Sequence, residues 1–284
     1  MDGHEGDYVS LYAHSAFDKQ NLIAFISLFF LFLGRMMPII ALVPFFGGKI
    51  LPRPAKVAFA ISIFAIFLPQ LMVITTTPLV FDLQLVLYFL KEIFIGLLLG
   101  FFLSIPFMIV QSAGILIDHQ RGGASLMVND PTVQNQSSPL GTLFNLMLIY
   151  LFFSIEGPFL VLEMISESYG ILPPDKMINP LSLETSSPLV QYAGKILGNV
   201  MILSTQLAAP ALIMILMTDF FLGIANRLAP QVQITFLGMP LKSLLALFVV
   251  FIGFNLFIDE IIKQTYSALD YIIVLMQQFQ PAPA

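Results

Sequence analysis

The residues able to do chemistry are concentrated in one stretch, residues 111–131, QSAGILIDHQRGGASLMVNDP. The chain is oily for tens of residues on either side, yet here it carries Asp118, His119, Gln120, Arg121, Asn129 and Asp130. It also carries three glycines (Gly114, Gly122, Gly123) and closes on Asn-Asp-Pro with Pro131, a strong breaker of regular structure. Asp118 and His119 have the residue types of an acid–base pair, but adjacent residues on a helix point apart, and such chemistry requires shared geometry first. The sequence has no HExxH, no cysteine nucleophile and no Gly-x-Ser-x-Gly, and His4, His14 and His119 lack metal-ligand spacing. The residues therefore read as those of a non-enzyme without cofactor or metal. Polar, flexible backbone at membrane depth survives where it is buried in protein or lines a water-filled cavity. The stretch is expected to face a pathway through an assembly.

The elements that must position it are apolar. The chain of 284 residues is 58% hydrophobic and 10% charged, with a mean hydropathy of +0.91. Soluble domains carry about 25% charged residues, so an all-α membrane protein is expected. A net charge of -5 without a basic stripe argues against nucleic acid. Residues 1–20 are acidic, with Lys19 the only cation, whereas a signal peptide needs a basic start; they read as a solvated or partly ordered tail, as termini commonly are. Residues 21–278 read as a single helical domain and 279–284 as a short C-terminal tail.

About six hydrophobic segments follow one another: 21–46, 57–74, 83–110, 143–162, 196–217 and 241–258. Their lengths approach the about 20 residues of a bilayer span. Residues 163–189 read as the longest polar connection, 219–240 as a mixed loop-helix region, and 259–278 as an amphipathic helix. Prolines 38, 44, 69, 106, 158 and 210 fall inside the apolar segments, and each removes an intrahelical hydrogen bond. Kinked or re-entrant hairpins are expected. Lys49, Arg53, Lys56, Arg121, Arg227 and Lys242 lie on one set of connections. Asp82, Glu163, Glu167, Asp175 and Glu184, with Lys176 and Lys195, lie on the other. Positive-inside counting places the N terminus outside and the basic loops in the cytoplasm.

Arg35 and Lys91-Glu92 lie among apolar residues. Intramembrane charge costs about 2.5–3.5 kcal/mol per residue on insertion scales, so each either faces a partner or polar cavity or snorkels to an interface. Two GxxxG matches, Gly96 to Gly100 and Gly194 to Gly198, read as helix-packing surfaces. Broken helices with polar residues at depth also fit a secondary transporter of a small solute. Against that alternative, no inverted repeat is visible and paired charges within the segments are few.

Along roughly residues 20–265 the chain resembles the FliR/SctT family of export-apparatus proteins shared by the bacterial flagellum and virulence type III secretion systems. The residues that carry the resemblance are the Arg35…Pro38…Pro44 opening, Ala113-Gly114…Asp118-x-Gln120-x-Gly122, and Asp130-Pro131. The most specific block is Arg227-x-x-Pro230-Gln231-x-Gln233…Gly238-Met239-Pro240-x-Lys242. General likeness favours the SctT-like side.

The resemblance implies a single-copy subunit of an export gate in the bacterial inner membrane. FliP/SctR-like and FliQ/SctS-like subunits would build the gate with it, and FlhA/SctV-like and FlhB/SctU-like proteins would lie beside it. Unfolded secreted proteins would pass through. It further implies that a Gly-rich polar loop at 113–123 helps plug the channel. Ile115, Leu116 and Ile117 would seal it, Gly114, Gly122 and Gly123 would act as hinges, and Asp118, Gln120 and Arg121 would hold the loop closed. Arg35, Asp130, Pro131, Arg227, Pro230, Gln231, Gly238, Met239, Pro240 and Lys242 are the family-motif residues expected to serve in docking partners.

Overall fold

The computed structural model describes residues 19–46, 51–75, 79, 82–122, 138–178, 188–228 and 234–277. They form eight α-helices: α1 Lys19–Leu42, α2 Arg53–Ile74, α3 Leu83–Gln120, α4 Pro139–Ser154, α5 Gly157–Ile171, α6 Pro188–Leu228, α7 Ile234–Ile252 and α8 Phe254–Gln277. No strand occurs among the described residues. The all-α membrane class expected from composition holds. Four helices are long and apolar enough to cross a membrane, and two bent pairs, α4 with α5 and α7 with α8, would raise the number to six.

Most of the expected proline breaks are absent. Pro38, Pro69, Pro106, Pro210 and Pro240 all sit inside continuous helices. The breaks fall at the other two expected prolines, Pro44 just past α1 and Pro158 in the first turn of α5, and at Gly253. Glu156 adopts φ 59 between α4 and α5, and Gly253 separates α7 from α8. Pro188 begins α6, where a missing N–H costs nothing.

Two polar regions are also helical. Residues 163–171, expected as connection, belong to α5, because Val161, Met164, Ile165, Ser168 and Tyr169 share one buried stripe while Glu163 and Glu167 face out. The third apolar run does not end at residue 110. α3 continues through the polar stretch to Gln120, so 113–120 is helix and not loop.

The chain divides into two compact units. The first comprises Met1–Ser104, Phe159–Gln191 and Tyr271–Ala284. Its core is aromatic: the Phe64 ring of α2 meets Phe25, Phe29 and Phe32 of α1 at centroid distances of 5.7, 5.1 and 5.4 Å, and Phe32 stacks on Tyr169 of α5 at 5.9 Å. α1 and α3 approach closely at the first GxxxG match. A Cβ on Gly96 would lie 2.2 Å from the Arg35 carbonyl oxygen, and one on Gly100 would lie 3.0 Å from Ile39 Cα.

The second unit comprises Ile105–Pro158 and Tyr192–Asp270. Phe107 meets Phe152 edge-on at 5.8 Å, and Phe144 meets Phe257 at 4.5 Å. The second GxxxG match behaves differently: nothing lies within 4 Å of a Cβ built on Gly194 or Gly198.

α3 and α6 contain 38 and 41 residues. At 1.5 Å per residue they run about 57 and 62 Å, against a hydrocarbon core of about 30 Å. Keeping either helix wholly within that core would need a tilt near 60°, well past the about 0–40° that membrane helices adopt. Part of each helix therefore stands outside the hydrocarbon.

Candidate functional site

The last turn of α3 buries Asp118 and Ile117 and exposes His119 and Gln120. The acid–base pairing is thus excluded by helix geometry, since successive side chains diverge. Gly122, at φ +96, takes the left-handed conformation that ends the helix, and its N–H donates to the His119 carbonyl at 3.3 Å. Asp118 would be costly to bury alone. Arg121 donates to its Oδ1 through Nε at 2.7 Å and also pairs with it through Nη2 at 2.6 Å. On the other oxygen, Asp118 accepts from the Ser138 hydroxyl and from the Leu140 N–H, the latter at 2.9 Å.

These last partners open α4. Ser138 is its N-cap, with Oγ accepting from Gly141 N–H at 2.9 Å, and Pro139 follows. Helix N-termini present unsatisfied donors and favour negative charge, and Ser138 and Asp118 together answer both needs. The helices can meet this closely because residue 114 is glycine: a Cβ there would fall 2.4 Å from the Gly141 nitrogen. Gly114 therefore serves close packing inside a helix, while Gly122 serves a turn.

Arg121 extends the arrangement to α7, where its Nη1 donates to Ser243 Oγ at 2.9 Å. Beside Ser243, Lys242 pairs with Asp219 of α6. Met239 Cγ lies 3.8 Å from the position of a Cβ on Gly122. Two stretches distant in the chain, 114–122 and the Gly-Met-Pro-x-Lys block, thus converge within the second unit.

The first unit holds a second polar cluster. Arg35 is fully buried and donates to Glu92 through Nε at 2.5 Å and Nη2 at 2.9 Å, to Ser168 Oγ at 2.9 Å, and to the Leu172 carbonyl at 2.9 Å. Its guanidinium carbon stands 3.8 Å from the Tyr169 ring centroid. Lys91 pairs with Glu92 at 2.7 Å and donates to the carbonyls of Pro173, Pro174 and Lys176 at 2.9, 3.0 and 2.9 Å. These charges do not snorkel. They fasten α1, α3, α5 and the turn after α5 to one another.

Burial bears on several of these residues. Arg35 is fully buried, with its guanidinium bonded to Glu92, Ser168 and the Leu172 carbonyl inside the chain. Ile117 is 1% exposed and packs in its own unit, and Ile115 and Leu116 are half-buried. Gly238 is buried, with Leu222 Cδ1 2.8 Å from its would-be Cβ, whereas Arg227, Met239 and Pro240 are exposed. Gly123, Asp130, Pro131, Pro230 and Gln231 lie outside the described residues. Ser138, Gly141, Asp219 and Ser243 were not singled out from the sequence. Only Ser138 carried a signal, a Ser-Pro step opening an apolar run.

A multi-pass helical membrane protein whose buried charges are paired inside the chain is the class that this fold and these two clusters define. The family model described as bacterial export proteins, family 1, matches residues 26–268. The chain belongs to that family, the FliR/SctT family. It is similar to "Surface presentation of antigens protein SpaR" of Shigella sonnei, 37% identical over 170 residues, which are 58% of this chain and 62% of the relative. It is similar to "Yop proteins translocation protein T" of Yersinia pestis, 36% identical over 157 residues, 55% of this chain and 58% of the relative. "Flagellar biosynthetic protein FliR" of Pectobacterium carotovorum subsp. carotovorum is 27% identical over 225 residues, covering 79% and 83%. The matched region spans about three fifths of the length of the first two relatives.

Proposed function

We propose that this chain is a gating subunit of a type III protein export gate in the bacterial inner membrane, and that its 114–123 segment controls passage of unfolded secretion substrates. The observation that carries this reading is the Asp118 carboxylate. Buried at the end of α3, it is tied to Arg121, to the first turn of α4 and, through Arg121, to α7. A closed arrangement held at one buried carboxylate has a defined point of release, whereas a merely greasy contact does not. Ile115 and Leu116 would supply the seal.

Family membership supports the remaining parts of the proposal. FliP/SctR-like and FliQ/SctS-like subunits surround the chain, FlhA/SctV-like and FlhB/SctU-like proteins lie beside it, and residues 21–278 work as one export-gate domain. The family-motif residues Arg227, Met239 and Pro240, which are exposed, would dock these partners, with Asp130, Pro131, Pro230 and Gln231 sharing that role. The basic loop 47–56 faces the cytoplasm and the N terminus the periplasm.

The test is Asp118→Asn in the assembled complex. It keeps the side chain's size and removes the charge that Arg121 pairs with. Ion leakage across the inner membrane should rise while the complex still assembles. An intact complex with wild-type leakage would overturn the gating role. Native mass spectrometry of the complex should find this chain with several copies of two small hydrophobic proteins, and their absence would overturn the export-gate reading itself.

A further inference from the structure

We propose that the turn after α5 is a cation-binding site, an oxygen cage built for one monovalent ion of potassium size, and that the Lys91 ammonium is its resident ion. The cage lies within the first unit and is independent of the gating role of 114–123.

The sequence supplies the oxygens. α5 ends at Ile171 and is followed by Leu172-Pro173-Pro174-Asp175-Lys176. Neither proline has an N–H, so the turn is rich in acceptors and poor in donors. The Lys176 N–H already donates to the Pro173 carbonyl at 3.2 Å. Residues 172–175 are buried, and buried carbonyls need partners from within the protein. The turn also continues from the C-terminal end of α5, where the helix dipole is negative and favours a cation.

The contacts around Lys91 separate an ion site from an ordinary hydrogen-bonded lysine. Four oxygens surround its Nζ: the carbonyls of Pro173, Pro174 and Lys176 at 2.9, 3.0 and 2.9 Å, and Glu92 Oε1 at 2.7 Å. An ammonium has three N–H donors. At least one oxygen is therefore held by the charge and not by a proton of its own. Asp175, buried in the same turn, attracts the same ammonium. The Tyr88 ring, with its centroid 5.6 Å from Nζ, covers a further side.

Distance and ligand type choose the ion. Oxygens at 2.7–3.0 Å from the centre stand too far out for calcium, at about 2.3–2.6 Å, or magnesium, at about 2.0–2.1 Å. A set dominated by neutral carbonyls is the kind that replaces the hydration shell of potassium in selective pores. Ammonium and potassium are close in size, so a cage that fits one fits the other. Lys91 is thus a positioning residue: its charge fixes where the chain leaves α5, and its stem delivers that charge.

The test removes the tether and returns the ion. Lys91→Ala empties the space of both stem and ammonium. The assembled complex, purified in potassium chloride, is moved at equal ionic strength into choline, potassium, ammonium or n-propylammonium chloride. Hydrogen exchange of the peptide spanning 171–178 is then followed by mass spectrometry. In choline, whose cation is too large and has no N–H, exchange in the variant should exceed wild type about tenfold. Potassium, ammonium and propylammonium should each return it toward wild type, and the wild type should not distinguish the salts. Lys91→Ser leaves similar room and is read the same way if the alanine variant does not assemble.

An assembled variant whose exchange stays raised in all four salts overturns the site, since Lys91 is then only a tethered donor. Exchange equal to wild type in choline overturns it too, because the turn then does without a cation. Failure of both variants to assemble in potassium chloride would also overturn it, the vacant cage having refused the ion it is built to hold.

Discussion

Arg121 Nη1 and Ser243 Oγ lie 2.9 Å apart although 122 residues separate them, and the same guanidinium holds Asp118. One side chain thus links a buried carboxylate to a neutral hydroxyl, and the two links differ in strength. A charged pair loses far more than a neutral acceptor when one partner is removed. Arg121→Gln should raise leakage in the assembled complex more than Ser243→Ala does. Conductance measured side by side checks this; equal effects would mean the carboxylate pair is not the controlling contact.

Gly114 and Gly194 should respond oppositely to the same substitution. Gly114→Ala drives a methyl into the Gly141 backbone at 2.4 Å, so thermal stability in detergent should fall by about 1–3 kcal/mol. Gly194→Ala meets nothing within 4 Å and should be neutral or stabilising by up to about 1 kcal/mol in the chain alone. If Gly194→Ala lowers assembly with partners while leaving the free chain unharmed, its face is an intersubunit contact.

Glu92→Gln should be among the most damaging single changes in the first unit. It leaves Arg35 and Lys91 buried without their shared counter-charge, a loss of about 3–5 kcal/mol for a broken buried pair. Arg35→Lys should rescue little, since an ammonium cannot make the two-pronged contact or stack on Tyr169 in the same way. A melting temperature of Glu92→Gln equal to wild type would remove the cluster from the list of stabilising features.

Tyr169→Phe isolates the ring from its hydroxyl. The hydroxyl is buried and finds no hydrogen-bond partner among the described residues, while the ring carries the guanidinium. Phe should therefore match or exceed wild type in stability, and Tyr169→Leu should lose about 1–2 kcal/mol of cation–π and packing energy. A thermal melt of both variants decides between ring and hydroxyl.

Asp219→Asn provides the contrast. Its pair with Lys242 is partly exposed, 43% on the carboxylate side. Such pairs contribute about 0–1 kcal/mol, and the melting temperature should barely move.

The helical class and the membrane character were legible because composition and run length report burial directly. α5 was not, although Val161, Met164, Ile165, Ser168 and Tyr169 carry its helical spacing. Glu163, Ser166 and Glu167 raised the local polarity enough to hide the stripe. The end of α3 was misread for a related reason. Gly114 looked like a loop residue, and only the backbone of Gly141, reached through tertiary packing, shows why a helix needs glycine there. Arg35 and Glu92 were each visible as misplaced charges. Their pairing was not, because nothing local couples residues 57 positions apart.

That separation also sets an order in time. The ribosome delivers α1, with Arg35, before α3, with Glu92 and Lys91. At about 5–20 residues per second, 57 residues correspond to roughly 3–11 s. Throughout that interval Arg35 lacks Glu92, the counter-ion it holds in the folded chain, and Ser168 and Leu172 follow later still. Release of α1 alone into lipid would carry the full insertion cost of an unpaired arginine. The first three helices of this chain are therefore best released from the insertion machinery as a group, once the carboxylate has arrived.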